Sequence, residues 1–522
     1  DRSIHVKTPL ESDSSYYMII NFQLPDPGPA GTGLNPCWRT VVRILFTSLI
    51  LCVALAWVTA PAAQDHPWND ESLAHSVRAE ALLEAMTVEE KMAELLADAP
   101  GIPRLGVLPY NWWNEALHGV ARTGRATVFP QPIGMAATFD EDLIHRVATA
   151  ISDEARAKFN LAQEMGNYAQ YAGLTFWSPN VNLVRDPRWG RGMETWGEDP
   201  YLQARMGSAF VRGMQGDDPN HMKAAACAKH YVVHSGPEAL RHEFDAVAPK
   251  RDFYESYLPA FKALVDAGVE CVMCAYNRTY GDPACGSEFL LQDILRDDWG
   301  FEGHVVSDCG AVRDFHKHHK VTPTEAEAAA WALKAGTDVN CGNYYDYLPE
   351  ALEKGLVNES DIDTALRRLL NTKMKLGFFD ENTAWSDVGP EVVEQDSHVA
   401  LTLEAARKSI VMLKNANNVL PLAKDMRKIY VAGPHAATSE VLLGNYYGLS
   451  SNMISILDGI VGKVSAGTTI NYKYGQLPYR DNINPKDWTT GEAGRSDATI
   501  AVLGISGLIE GEEGEAIASP TK

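Results

Sequence analysis

Between residues 107 and 341, short apolar segments repeatedly end in a polar or aromatic cluster and then give way to a helical stretch. This alternation constrains the fold more than any other feature of the chain. Residues 107–110 lead to Asn111, Trp112, Trp113, Asn114 and Glu115, residues 174–177 to Ser178, Pro179 and Asn180, and residues 224–228 to Lys229 and His230. Residues 271–275 lead to Tyr276 and Asn277, Val305 and Val306 to Ser307 and Asp308, and residues 337–339 to Asn340 and Cys341. A parallel (β/α)8-type, TIM-like barrel would gather such clusters at one rim. Six of its eight strands are visible in this way. An open doubly wound sheet would alternate similarly, but polar clusters at so many successive strand ends favour a closed ring.

At 522 residues the chain is too long for a single core. Residues 1–37 lack sustained periodicity and read as an upstream extension. Residues 38–63 carry Arg39 and Arg43, an apolar run at 44–58 and then Ala60, Pro61 and Ala62, the order of a secretory signal peptide. That run is shorter than the roughly 20 residues a membrane span needs. Residues 64–380 hold the barrel, with helical spacing over 71–97, a capping signal at residues 87–90 and a last helix over 362–376 stopped by Gly377. Residues 381–398 read as a linker, and 399–522 as an α/β sandwich domain truncated at its C-terminus. In that domain a helix is expected over 399–413 and strands over 428–432 and 498–504, before an acidic loop at 510–515.

A net charge of -22 disfavours nucleic acid and anionic membrane surfaces as partners and is indifferent to a neutral substrate. Export places the mature chain outside the cytoplasm, secreted or periplasmic, where disulfides form. Cys227, Cys271, Cys274, Cys285, Cys309 and Cys341 follow the cleavage site. Cys271 and Cys274 have the spacing of a redox or zinc pair, but they sit in an apolar strand without a second pair or histidines at metal spacing, so no metal is expected.

Within GHVVSDCGAV, residues 303–312, Asp308 follows a buried-strand signal and precedes a glycine turn. A carboxylate there either caps the next helix or serves chemistry. YNWWNEALHGVAR, ATVFPQPIGMAATFD, SPNVNLVRDPRWGRGMETWGEDP, KHYVVHSGPE, VVSDCGAV, AGTDVNCG and KSIVMLKNANNVLPL together resemble glycoside hydrolase family 3, exported two-domain β-glycosidases. The resemblance runs from about residue 87 to the C-terminus. It implies a barrel supplying a nucleophile, a sandwich domain supplying an acid/base, and no cofactor or metal. Retaining glycosidases need two such carboxylates, one ionised and one protonated.

By this resemblance Asp308 is the nucleophile, and Glu512 is the acid/base, its proton affinity raised by neighbouring glutamates. The run EGEEGE leaves Glu513 or Glu510 as other registers, with Glu515 in the same cluster, and a merely solvated loop is also open. Glu115, Arg191, Lys229, His230 and Tyr276 match sugar-binding positions, with Tyr276 orienting Asp308. Arg191 could instead pair structurally with Glu194, and Lys229 with His230 could merely end a strand. Trp112, Trp113 and Trp189 are sugar platforms or core. His234, His242 and Asp245 sit where the family's N-acetylglucosaminidases carry an Asp/His acid/base, but the GHG and DSH elements of that group are missing.

Cys309 and Cys341 lie at adjacent strand ends, where Cα atoms come within the 4.4–6.8 Å that a disulfide spans, and Cys274 with Cys285 would close a short loop. Cys309 stands where glucan-directed members commonly have an aromatic, and Glu115 near where they have an aspartate. The expected reaction is therefore exo-acting, retaining hydrolysis of β-linked oligosaccharides by a β-xylosidase, with α-L-arabinofuranosidase activity a possible second one. The alternatives are a β-glucosidase and an inactive carbohydrate-binding relative.

Overall fold

The computed structural model describes residues 66–186, 189–236, 238–475, 488–506 and 511–512. The upstream extension and signal peptide lie outside the described residues, as do Glu510, Glu513 and Glu515.

Helix α1 (His75–Ala85) ends at Met86, and Thr87 then caps α2 (Val88–Ala93) through a reciprocal box with Glu90. The helix expected over 71–97 therefore breaks once and stops early. Leu95 is fully buried, Leu96 bridges Asn340 in parallel, and β1 (Asp98–Ala99) pairs antiparallel with β2 (Tyr110–Asn111). Apolar residues enclosed on both sides are as well buried in an extended segment as in one more helical turn, and spacing alone does not separate the two.

Helix α3 (Glu141–Glu164) precedes β3 (Thr175–Phe176), and α4 (Pro200–Gln215) precedes β4 (Ala225–Tyr231). Helix α5 (Leu258–Asp266) leads to β5 (Cys271–Cys274) and then to β6 (His304–Ser307). Strands β3 to β6 form one parallel sheet in chain order. Parallel bridges extend it from Phe176 to Asn114 on one side, and from Val306 to Val339 on the other. Asn340 bridges Leu96, and the Trp112 N–H donates to the Ala97 carbonyl at 2.8 Å, so the hydrogen-bonded run returns to its start. All residues of β4, β5 and β6 are buried, as strands covered on both faces must be.

Helices α6 (Ala311–Lys317), α7 (Glu325–Ala335) and α8 (Glu359–Lys375) follow β6, and α8 is capped by Asn358 and stopped by Gly377 at φ 77°. Beyond it, α9 (Asp396–Lys408) ends five residues short of the expected helix, leaving Ile410, Val411, Met412 and Leu413 exposed. That apolar run has no face to bury, so nothing in the packing sustains helix there. A second parallel sheet has β7 (Lys428–Ala432) between β8 (Thr469–Lys473) and β9 (Ala498–Ala501), with α10 (Ile456–Val461) packed beside it. The strand expected over 498–504 thus stops at Ala501, and the Gly504 carbonyl turns to His435 Nε2 at 3.0 Å. The architecture is a two-domain α/β fold. Among the described residues no helix is long and apolar enough to cross a membrane.

Glu154 on α3 pins the two parts together. Its buried carboxylate accepts from Thr127 Oγ1 at 2.6 Å, Thr127 N and Glu394 N at 3.0 Å, and His398 Nδ1 on α9 at 3.0 Å. Burial pushes this carboxyl up, but those donors outweigh it and hold the group below its ordinary 4.5. A carboxylate depressed in the folded state stabilises fully above its unfolded pKa, and that stability is lost as the pH falls through the folded value. Glu154→Gln is expected to cost about 2 kcal/mol at neutral pH. The gap from the parent protein should narrow in acid, and thermal midpoints from pH 7 to pH 3 with a constant gap would contradict this.

Candidate active site

The strand ends surround a cavity of about 490 Å³. Asp308 enters it directly after β6, 7% exposed. The N-cap of α6 is Gly310 in the left-handed region at φ 87°, so the Asp308 side chain does not cap that helix. Asp308 Oδ1 accepts from the Cys309 N–H at 2.8 Å. Its Oδ2 has no hydrogen-bond partner among the described residues and lies 3.6 Å from His230 Nε2. Tyr276, expected to orient Asp308, lines the same cavity and makes no hydrogen bond to that oxygen. Burial raises the Asp308 carboxyl, while Arg191 draws it down and Glu512 adds to the rise. A buried carboxylate oxygen left open to a cavity costs stability and is suited to reaction.

Lys229 and His230 lie within β4, where the register against β5 shifts between Ala228 and Tyr231. Such an irregularity re-aims side chains toward a site. Lys229 Nζ donates to both Glu115 oxygens, at 2.8 and 3.0 Å, and stands 5.0 Å from the centre of the Tyr446 ring. Burial pushes the Glu115 carboxyl up to about 7, against the pull of Lys229. His230 is neutral, its pKa taken well below normal by burial and then by Arg191. It accepts from Arg191 Nη1 on Nε2 at 2.8 Å.

Arg191 makes the structural pair with Glu194 and also faces the cavity. It is 1% exposed, pairs with Glu194 at 2.7 Å, and also lies 3.2 Å from Glu512 Oε1 while lining the cavity. Of the acidic loop, only Gly511 and Glu512 are described. Arg241 Nη1 donates to Glu512 Oε1 at 3.0 Å, and Asn445 Nδ2 to Oε2 at 2.8 Å. The expectation that neighbouring glutamates raise this carboxyl needs correction. Burial does push it up, but Arg191 and Arg241 outweigh burial and hold it well below the usual carboxylate range.

The second domain delivers this side of the cavity. Residues 443–449 run beside 122–126, with Arg122 N–H donating to the Tyr447 carbonyl at 2.8 Å and Ala126 N–H to the Leu449 carbonyl at 3.0 Å. A Cβ at Gly448 would come within 2.5 Å of the Val120 carbonyl oxygen, and one at Gly190 within 2.0 Å of the Gly511 oxygen. Both glycines permit the close approach that brings Asn445, Tyr446 and Glu512 in.

Trp113 lines the cavity, stacked on Trp177 at 5.4 Å, whereas Trp112 is core and Trp189 is buried edge-on to His234. His234 is buried on Asn277 at 3.0 Å and driven down to about 3, chiefly by burial. Asp245 accepts from Gly281 N–H and is not the partner of His242, whose carboxylate is Asp314 at 2.7 Å. Sequence reasoning missed Arg241, Asn445, Tyr446 and Trp177. The one available signal was Arg241 beside His242 in the loop already singled out.

Disulfides join Cys274 to Cys285 with Cα atoms 5.1 Å apart, and Cys309 to Cys341 at 4.4 Å, the latter against the cavity. Cys227 and Cys271 are free, buried and paired in register across β4 and β5.

The N-terminal domain of glycosyl hydrolase family 3 matches residues 102–372, and its C-terminal domain matches residues 410–520. The chain belongs to glycosyl hydrolase family 3. The xylan 1,4-beta-xylosidase of Xylanibacter ruminicola is 46% identical over 428 residues, covering 80% of this chain and 49% of that protein. Beta-D-xylosidase 1 of Arabidopsis thaliana is 39% identical over 457 residues, covering 84% of this chain and 57% of that one. A solved family 3 exo-beta-xylosidase, XlnD, in complex with a xylobiose aziridine activity-based probe, superposes with a TM-score of 0.78. It is 35% identical, over 86% of this chain and 59% of that one. The β-glucosidase EmGH1 of Erythrobacter marinus gives 0.74 at 28% identity, over 86% and 67%. The chain spans about half the length of the family 3 xylosidase it matches from Xylanibacter ruminicola, and 57% of the Arabidopsis one.

Peptide mapping without reduction should recover the 274–285 and 309–341 cross-links with Cys227 and Cys271 as thiols. A free thiol at any of the four linked positions would contradict the pairing.

Proposed function

We propose that this chain carries the active site of an exo-acting, retaining β-glycosidase that removes β-xylosyl units from the nonreducing ends of oligosaccharides. The observation that carries this is the pairing, in one buried cavity, of an Asp308 oxygen open to the cavity with a second carboxylate, Glu512, delivered from the other domain. In a double displacement, Asp308 Oδ2 attacks the anomeric carbon while Glu512 gives its proton to the departing oxygen. Glu512 then takes a proton from water as that water cleaves the glycosyl ester. Glu115, Lys229, His230 and Arg191 supply donors and acceptors for ring hydroxyls, and Trp113 an apolar face. Because the cavity holds Glu512 ionised when empty, we infer that substrate must shift that balance before the first step.

The hydrogen-bonded ring of segments supports a (β/α)8-type barrel over 64–380. The exposed run at Ile410 to Leu413 supports reading 399–522 as part of a larger α/β sandwich joined by the linker at 381–398. Two disulfides and the leader-like run at 44–58 support an exported, secreted or periplasmic protein acting in xylan breakdown.

Xyloside preference is supported by the 309–341 disulfide. It stands as a rigid wall at a cavity where glucose, but not xylose, would need room for a hydroxymethyl group. The β-xylosidase relatives support the same choice.

Asp308→Asn should fold normally and lose about 10⁴-fold in kcat. Near-normal turnover would remove the assignment. Glu512→Ala should lose most on poor leaving groups, keep activity on activated aryl glycosides, and recover partly with azide. If kcat/KM for nitrophenyl β-glucoside exceeds that for β-xyloside and α-L-arabinofuranoside tenfold, about 1.4 kcal/mol, the sugar choice is wrong.

A further inference from the structure

Outside the cavity, His242 joins the segment that follows Asp308 to the side chain that holds Glu512. Its Nδ1 lies 2.7 Å from Oδ2 of Asp314, a fully buried carboxylate on α6. A carboxylate accepts only, so Nδ1 carries the proton and donates. On the other side of the ring, Arg241 Nε donates to His242 Nε2 at 3.3 Å, which requires a lone pair there. Both contacts are met together by a neutral imidazole with its proton on Nδ1.

The guanidinium so anchored is a rigid planar fork, and fixing Nε fixes where Nη1 points. It points at Glu512 Oε1, 3.0 Å away, with Glu238 at 3.4 Å and the Tyr276 ring centre 4.7 Å from Cζ. His242 packs edge-on to the same Tyr276 ring, ring centres 4.6 Å apart, and is itself a quarter exposed. His318, whose Nε2 is 3.7 Å from the other Asp314 oxygen, and Arg313 Nε at 3.9 Å complete the surroundings of the carboxylate. Helix α6 begins at Ala311, three residues past Asp308, so the chain leaving the attacking group runs directly into the helix that carries the anchor of this relay.

We propose that His242 is a positioning residue for the acid/base carboxylate: held by Asp314, it fixes Arg241, and Arg241 fixes Glu512 opposite Asp308. This rests on the reading of Glu512 as the acid/base. A carboxyl acid that has lost its alignment delivers its proton poorly, which hurts departing groups that need the proton and spares those that do not. A merely structural role for His242 would reduce activity on both kinds equally.

The test is kcat/KM on phenyl and 2,4-dinitrophenyl β-xylosides. His242→Asn keeps a donor toward Asp314 but has no acceptor at the Nε2 position. It is expected to lose about tenfold on the phenyl glycoside and under about twofold on the dinitrophenyl one. His242→Gln places an amide oxygen near the Nε2 position but loses the donor to Asp314, and should show the same split in smaller degree. Equal losses on the two substrates in either variant would overturn the proposal. Should either variant fail to fold, Asp314→Asn, which keeps the shape and an acceptor but drops the charge, takes its place and should show the same split in smaller degree; equal losses there overturn it too. Glu512→Ala is measured alongside. If it shows no leaving-group dependence, the acid/base reading falls and this inference with it. If it shows a strong one while the His242 variants do not, only this inference falls.

Discussion

The buried guanidinium of Arg191 is the charge around which the site is arranged. Removing a cation from water costs several kcal/mol unless its partners are close and well aligned. Glu194 answers it at 2.7 Å from the same short turn and also accepts from Asn180 and from Asn445 of the second domain. With that partner in place, Arg191 still has Nη1 free to meet His230 and Glu512. One cation thereby ties the strand-end cluster to the loop that the other domain brings. Without Glu194, Arg191 would lean on Glu512, a carboxylate it shares with Arg241.

The wider balance of charge fits the proposed chemistry. Glu115, Glu194, Glu238, Asp308 and Glu512 face Lys229, Arg191 and Arg241, and among these named groups the formal anions outnumber the cations. His230 does not redress this, since burial keeps it neutral. A neutral sugar enters such a field without penalty, and the partial positive charge that grows on the ring as the glycosidic bond breaks is stabilised by it. The chain's net charge of -22 is a property of the whole sequence, whereas this local excess stands around the cavity.

What was legible in the sequence is what a single strand end carries. Asp308, Lys229, His230, Glu115 and Tyr276 each follow or sit in a short apolar run, and the structure gathers all of them in one cavity. The Cys309–Cys341 pair was legible for the same reason, since adjacent strand ends bring Cα atoms into range, and Cys274–Cys285 as the closure of a short loop. Asn445 and Tyr446 were not, because nothing local marks them. They matter only through the approach of residues 443–449 to 122–126, and that approach depends on Gly448 lacking a side chain. The helix expected over 71–97 failed where Leu95 and Leu96 were read by spacing alone, and the one over 399–413 where an apolar run was read as a helical face. In each case tertiary contacts, or their absence, overrode local pattern.

On the proposed mechanism, the electrostatics of Glu512 bear on how one carboxyl serves two steps. Asp308 and Glu512 each disfavour the other's charge, while Arg191 and Arg241 favour it on Glu512. In the empty cavity the cations prevail and Glu512 is ionised. A bound sugar displaces water, which strengthens the repulsion between the two carboxylates and engages the guanidinium donors with hydroxyls, so both effects favour a proton on Glu512. Once Asp308 is esterified its charge is gone, and the repulsion that kept the proton on Glu512 goes with it. The same two guanidiniums then favour the ionised form, which is the form needed to take a proton from water. On the proposed mechanism, the acid in the first step thus becomes the base in the second because the charge that switches is that of Asp308.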